Sequence, residues 1–224
     1  MVIVAAHNEA DRIGATLEAL AGAFPGAQIV VADDASSDGT GELARSRGAQ
    51  VVSRRKPRGK GANVTAAVET VLGRPNDADQ PTFLLCDADL GPSARELPGL
   101  VEAVERGDCD LAVGAFRDRV GGGFGIALTF ARWAIERRCG YRAEAPISGQ
   151  RAISAEVLRA VLPFAQGYGM ETGMTIDAVR AGFRLREVEL DHEHRATGRS
   201  VGGFLHRARQ LRDFGRAYVS RRVA

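Results

Sequence analysis

The chain has 224 residues, 45% of them hydrophobic and 26% charged, with 27 glycines and 8 prolines. That length suits one α/β domain that buries its own core, and the composition excludes intrinsic disorder and collagen-like fibre. Thirty basic against 28 acidic side chains leave a formal charge of +2. This excludes a nucleic-acid binder that works by bulk charge, though not a local basic patch.

Val2-Ile3-Val4-Ala5 reads as a buried strand. Asn8 is placed to cap a helix carrying Ile13, Leu17 and Leu20 at four- and three-residue spacing. Gln28 to Ala32 is a second strand, Asp38 to Arg47 a helix, and Gln50 to Ser53 a third strand. Gly61 to Leu72 is helical, Asn76 to Pro81 a polar loop, and Thr82 to Cys86 a fourth strand. Ser93-Ala94-Arg95-Glu96 has the form of a capping box opening a helix. Asp110 to Ala115 is a fifth strand. After the Gly121-Gly122-Gly123 break, Phe124 to Arg138 reads as a longer helix and Gln150 to Ile153 as a short strand. Ser154 caps a helix to about Leu162, Glu171 to Ala181 is helical, and Arg184 to Leu190 is a strand. A last helix runs from Gly203 to Val219. The βαβα order predicts a Rossmann-like, doubly wound, mostly parallel sheet. It forms a single domain, with residues 1–115 as a nucleotide-binding half and 116–224 as an acceptor half.

Cys86, Cys109 and Cys139 show no CxxC or Cys/His zinc spacing, so free thiols in a reducing compartment are expected. A strand-like run begins within two residues of Met1, so no signal peptide is expected. The longest apolar stretch, Phe124 to Ile135, is interrupted by Arg132 and too short to span a bilayer. A cytoplasmic protein is the expectation.

Ligands of open parallel sheets bind beyond the carboxyl ends of the strands. Here those ends are polar: His7-Asn8-Glu9, then Asp33-Asp34 through Thr40, then Arg54 through Gly61, then Asp87-Ala88-Asp89. Each has a local alternative, since Asn8 suits a cap and Asp33, Asp34 and Ser36 suit turns. Their shared edge points to a site. Asp87 and Asp89, one small residue apart after a hydrophobic strand, repel when unpaired. A Mg²⁺ or Mn²⁺ ion shared with a diphosphate removes that cost. Lys60, between Gly59 and Gly61 at a helix N-terminus, stands at a natural anion site. The stretch is neither a Walker A loop nor a GxGxxG fingerprint.

These stretches, with Ser148-Gly149-Gln150-Arg151 and Gly182 to Arg199, resemble family 2-type glycosyltransferases of the GT-A fold, near the dolichyl-phosphate mannose synthase-like branch. The resemblance implies an enzyme that moves a sugar from a UDP- or GDP-sugar to a phosphorylated acceptor, polyprenyl phosphate or a small anionic molecule. It implies that Ala6, Asn8, Glu9, Asp33, Asp34, Lys60, Asp87, Ala88, Arg195 and Arg199 bind the nucleotide-sugar. Asp87, Asp89 and His194 would hold Mg²⁺ or Mn²⁺, with His192 as the alternative histidine. Asp89 and Glu171 would be catalytic, Glu171 facing the acceptor or else serving only the helix dipole. Gly114 and Arg117 would lie beside the sugar. The polyprenol-phosphate branch often has an acidic residue four positions before Gly149. Here that residue is Ala145, with Glu144 adjacent, which keeps a small acceptor open.

Two other functions compete. A nucleotidyltransferase would open with a basic, glycine-rich loop after its first strand, and His7 to Asp11 is neither basic nor glycine-rich. A non-catalytic sugar-nucleotide binder does not need the Asp87/Asp89 pair. Residues 195–222 hold eight arginines and one acidic residue, Asp213. Phe204, Ala208, Leu211, Gly215 and Tyr218 would form the apolar stripe of that helix, packed on the sheet with the arginines solvated. The alternative is that its basic face meets an anionic membrane at the inner surface. A homodimer is compatible with the sequence.

Overall fold

Alternation along the strands decides which side chains meet which helices. In the computed structural model, which describes residues 1–72, 82–116, 125–167, 169–190 and 212–221, strand β1 (Val2–Ala6) buries Val2, Val4 and Ala6 on one face and Ile3 on the other. Strand β4 (Phe83–Asp87) does the same, with Leu84 and Cys86 on the first face and Phe83 and Leu85 on the second. Runs hydrophobic on both faces belong in the middle of a covered sheet.

The remaining strands are β2 (Ile29–Asp33), β3 (Gln50–Ser53), β5 (Leu111–Phe116), β6 (Arg151–Ile153) and β7 (Leu185–Leu190). The sheet order is β3-β2-β1-β4-β6-β5-β7. All neighbours run parallel except β6, which is antiparallel to both β4 and β5. The mostly parallel, doubly wound expectation therefore holds. Strand β6 enters the sheet from the edge where the parallel strands end, so residues 148–150 arrive there just before pairing begins.

Helices α1 (Ala10–Ala23), α2 (Thr40–Ser46) and α4 (Pro98–Glu105) cover the first face; α3 (Lys60–Leu72), α6 (Ala155–Val161) and α7 (Gly169–Arg180) cover the second. Helix α5 (Gly125–Cys139) packs on α7 through Ile135 and Ile176. Residues 212–220 are helical, and Phe214 and Ala217 are buried. Burying Leu20, Leu84 or Leu100 contributes about 2 kcal/mol each.

Four local expectations change. Asn8 does not cap α1: its backbone is left-handed, with φ 56°, and its side chain accepts from Ser37 N–H at 2.9 Å. Asp38 serves α1 instead, taking the Ala10 N–H at 3.0 Å, and α2 begins at Thr40 rather than Asp38. Ser93 to Glu96 is no capping box. It lies in a 3₁₀ turn, Gly91–Glu96, and Ser93 Oγ donates to the Leu90 carbonyl at 2.5 Å. Pro98 lacks the N–H that would extend that turn, and a new helix starts on it. In the last helix the buried apolar positions are Phe214 and Ala217, one residue before the expected Gly215 and Tyr218, which are half-buried; the expected Phe204, Ala208 and Leu211 lie outside the described residues. Ser154 does cap α6, accepting from Val157 N–H at 3.3 Å.

Candidate active site

The ends of β1, β2 and β4 converge, with Ala5 opposite Asp87 and Ala6 opposite Asp33. Phe83 and Leu85 face α3 and α7, and period-2 alternation turns Asp87 the same way. There it meets the first turns of both helices. Lys60 Nζ lies 2.6 Å from Asp87 Oδ1 and 2.7 Å from Glu171 Oε1. Gln150 Nε2 donates to Asp87 Oδ2 at 3.1 Å, and Ser148 Oγ donates to Gln150 Oε1 at 3.1 Å. Gly149 fits only because it lacks a side chain: a Cβ there would sit 2.2 Å from Asp87 Oδ2 and 2.7 Å from Lys60 Nζ.

Burial opposes the charge on Lys60, but the Asp87 and Glu171 carboxylates outweigh it and hold the ammonium above the ordinary lysine range. Behind Glu171, Arg151 is fully buried. Its Nε donates to the Ser148 carbonyl at 2.9 Å and its Nη1 to Thr175 Oγ1 at 3.0 Å. Burial lowers its pKa to about 10, with Glu171 and Glu187 opposing.

Asp89 lies past the turn on the α1 side, where Arg12 Nη1 is 3.7 Å away. Glu9 shares that side. Burial raises its carboxyl above the ordinary glutamate range and Asp89 adds to the rise, while Arg12 opposes it. Asp87, Asp89 and Glu9 thus concentrate hard oxygen donors at one edge, which fits a Mg²⁺ or Mn²⁺ ion. Among the described residues no three His, Cys, Asp or Glu side chains converge closely enough to complete a cage alone. A diphosphate sharing the ion would complete the shell.

Several expected binding residues are occupied by the protein itself. Asp34 accepts the N–H of Arg58 at 2.9 Å and of Gly59 at 2.8 Å, so it holds the loop leading to Lys60. Asp33 accepts from Ser36 N–H and Ser53 Oγ. The Ala6 carbonyl takes the Asp34 N–H. Ala88 donates to the Ala5 carbonyl, and its own carbonyl accepts from Thr16 Oγ1 at 2.7 Å. Asp87 and Asp89 are paired with cations, not left as a bare pair. Gly114 lies inside β5, where a Cβ would meet Leu190 Cδ1 at 2.7 Å. Arg117, His192, His194, Arg195 and Arg199 lie outside the described residues. Sequence reasoning missed Gln150 and Arg12 as partners of the two aspartates. Gln150 stood inside a quoted motif, but nothing local signals that β6 delivers it to β4.

The mostly parallel sheet is that of the GT-A glycosyltransferases, and in this chain an Asp-x-Asp pair ends its central strand, faced by a lysine and a glutamate from two helix N-termini. The chain belongs to glycosyl transferase family 2, whose profile matches residues 1–158. It is 31% identical over 221 residues to an undecaprenyl-phosphate mannosyltransferase of Micrococcus luteus, covering 89% of this chain and 86% of that protein. It is 30% identical over 201 residues to a glucosyl-3-phosphoglycerate synthase of Mycolicibacterium paratuberculosis, covering 79% of this chain and 58% of the other. The crystal structure of glucosyl-3-phosphoglycerate synthase from Mycobacterium tuberculosis with phosphoglyceric acid superposes with a TM-score of 0.79 at 26% identity, covering 98% of this chain and 78% of that one. The same enzyme with Mn²⁺, UDP and glucosyl-3-phosphoglycerate gives a TM-score of 0.76.

Proposed function

We propose that this glycosyltransferase moves a hexosyl group from a UDP- or GDP-sugar to an acceptor bearing a phosphate monoester. The observation that carries this reading is the Lys60 bridge, which draws the Asp87 carboxylate on the donor side and Glu171 on α7 into one charged cluster. Both kinds of similar enzyme, the undecaprenyl-phosphate mannosyltransferase and the glucosyl-3-phosphoglycerate synthase, are named for acceptors that carry phosphate.

Asp87 and Asp89 would hold a divalent cation, with His194 as a further ligand. When bound, that ion neutralises charge on the leaving diphosphate. Glu9 would accept hydrogen bonds from the base or ribose, and Asn8, Asp33 and Asp34 would shape that pocket. Arg195 and Arg199 would bind the diphosphate or the acceptor phosphate. Glu171, 5% exposed, would orient the acceptor. An acceptor oxygen bonds to the anomeric carbon as the bond to the diphosphate breaks, and the nucleoside diphosphate leaves with the electron pair; an ionised phosphate oxygen has no proton to lose, whereas a hydroxyl acceptor gives its proton to a base or to solvent. The test is turnover with Mn²⁺ and a panel of UDP- and GDP-hexoses, offered undecaprenyl phosphate or 3-phosphoglycerate. Release of pyrophosphate instead would favour a nucleotidyltransferase.

A peripheral membrane location at the inner surface is the second reading. Arg212 and Arg216 are exposed on the last helix. Beside it Phe130, Trp133 and Tyr218 stack, Trp133 lying 4.9 Å from Tyr218. Phe130 and Trp133, with Gly125 and Thr129, line an open groove of about 500 Å³. Aromatic rings beside arginine suit an anionic lipid interface. Trp133 is the single tryptophan, so its fluorescence reports directly. A blue shift with phosphatidylglycerol vesicles, lost at high salt, supports attachment; concentration-dependent change without lipid supports a homodimer instead. Among the described residues no helix is long and apolar enough to cross a membrane.

A further inference from the structure

Both oxygens of Asp87 are already in use. Lys60 Nζ sits 2.6 Å from Oδ1, and Gln150 Nε2 sits 3.1 Å from Oδ2. Among the described residues the ion pair of Asp89 is a 3.7 Å contact with Arg12. A divalent cation that approaches Asp87 therefore meets an ammonium already in contact with the same carboxylate. The two cations repel strongly at such separations in a partly buried site. The Lys60 side chain is 24% exposed, so it can turn away from Asp87, while Gly149, having no side chain, lets the Lys60–Asp87 pair sit close against the backbone. The ammonium and the metal compete for the charge of Asp87.

We propose that Lys60 is a resident counterion that trades places with the divalent cation. Without donor it neutralises Asp87 and Glu171, two carboxylates that burial would otherwise leave uncompensated. When cation and donor arrive together, Lys60 yields Asp87 and turns its charge to the diphosphate, keeping Glu171 as its fixed partner. This rests on the donor reading above. Lys60 is thus a positioning residue that makes metal and nucleotide bind as one event. The ion alone competes with an intramolecular cation, whereas ion plus diphosphate gives that cation a new anion. Linkage requires the effect to be reciprocal.

The test is Mn²⁺ binding followed by electron paramagnetic resonance, with and without UDP or GDP, on the parent chain, Lys60→Met and Arg12→Met. The parent is expected to bind Mn²⁺ weakly alone and more tightly with nucleotide. Lys60→Met should bind Mn²⁺ alone about tenfold more tightly, yet bind Mn²⁺ with nucleotide more weakly than the parent, a reversal of sign. Arg12→Met should change Mn²⁺ binding alone by less than Lys60→Met, because its contact is longer and more exposed. Lys60→Arg keeps the charge and should track the parent. If Lys60→Met folds poorly, Glu171→Gln keeps the comparison informative: it removes one of the two carboxylates that Lys60 bridges among the described residues, ties Lys60 more closely to Asp87 and should weaken Mn²⁺ binding alone. If Lys60→Met leaves Mn²⁺ binding unchanged, or raises it equally with and without nucleotide, the exchange is wrong and Lys60 is only a nearby charge. If the parent binds no nucleotide with Mn²⁺, the donor reading itself fails.

Discussion

Gly149→Ala places one methyl group against the centre of the site. The Gly149 backbone is not in the left-handed region, so alanine meets no positive-φ strain there. Its Cβ would start 2.2 Å from Asp87 Oδ2, 2.9 Å from Asp87 Cγ and 2.7 Å from Lys60 Nζ, whereas ordinary contact begins near 3.4 Å. The Asp87 carboxylate must therefore retreat by about 1 Å, and a misplacement of that size costs on the order of 100-fold in rate. That is about 2.7 kcal/mol in the barrier. The fold should survive, because Asp87 and Lys60 side chains are 31% and 24% exposed and can move outward. The assay is nucleoside diphosphate release with Mn²⁺ and the preferred sugar nucleotide, alongside thermal unfolding by circular dichroism. Expected is a loss of about 100-fold in kcat with little change in Tm. A folded Gly149→Ala protein that keeps kcat within threefold of the parent would show that Asp87 can be displaced without consequence, and the placement of the metal there would fall.

Three further outcomes follow from the same geometry. Asp34→Ala removes the acceptor of the Arg58 and Gly59 N–H groups and should cost about 1–3 kcal/mol in urea unfolding; unchanged stability would return Asp34 to a purely nucleotide-facing role. Asp89→Ala, losing among the described residues a 3.7 Å contact to Arg12, should abolish turnover while shifting stability by no more than about 0.5 kcal/mol, read by paired kinetics and denaturation. Glu9 holds its proton more tightly folded than unfolded, so its cost to stability is absent below the ordinary value of 4.5 and grows as pH rises through its raised folded pKa. Glu9→Gln should therefore match the parent's Tm in acid and exceed it at neutral pH, and a constant gap across pH would contradict the burial and the Asp89 charge as its cause.

Strands β1 to β5 were legible because short hydrophobic runs between polar turns have few other homes, and the site edge was legible because the first four of those runs ended in polar and charged residues. Asp87 and Asp89 stood out for the same reason. What escaped depended on partners far away in sequence. Asn8 looked like a cap, but the true acceptor of the Ala10 N–H is Asp38, 28 residues on. Lys60 looked free to meet a diphosphate, yet it bridges carboxylates from β4 and α7. Strand β6, three residues long, carries no local sign of its direction, so Gln150 could not be placed. The buried stripe of the last helix was offset by one residue because α7 selects the face it packs, an effect no periodicity within the helix contains.

The close packing of that last helix has an evolutionary consequence. A Cβ on Gly167 would lie 2.1 Å from Asp213 Oδ2, one on Gly169 would lie 2.8 Å from the Asp213 carbonyl, and one on Gly173 would lie 2.9 Å from the Arg221 guanidinium. Arg221 in turn grips Asp177. Three glycines around the start of α7 thus leave no room for drift, although none needs to touch a sugar. Descendants of this protein can vary the exposed Arg212 and Arg216 cheaply, but a side chain at Gly169 meets the Asp213 backbone and is admitted only by moving the last helix off the start of α7, next to Glu171. Mutational tolerance along α7 should therefore be lowest at positions with no side chain at all, and a saturation library would reveal the acceptor side of the enzyme by its intolerance of alanine.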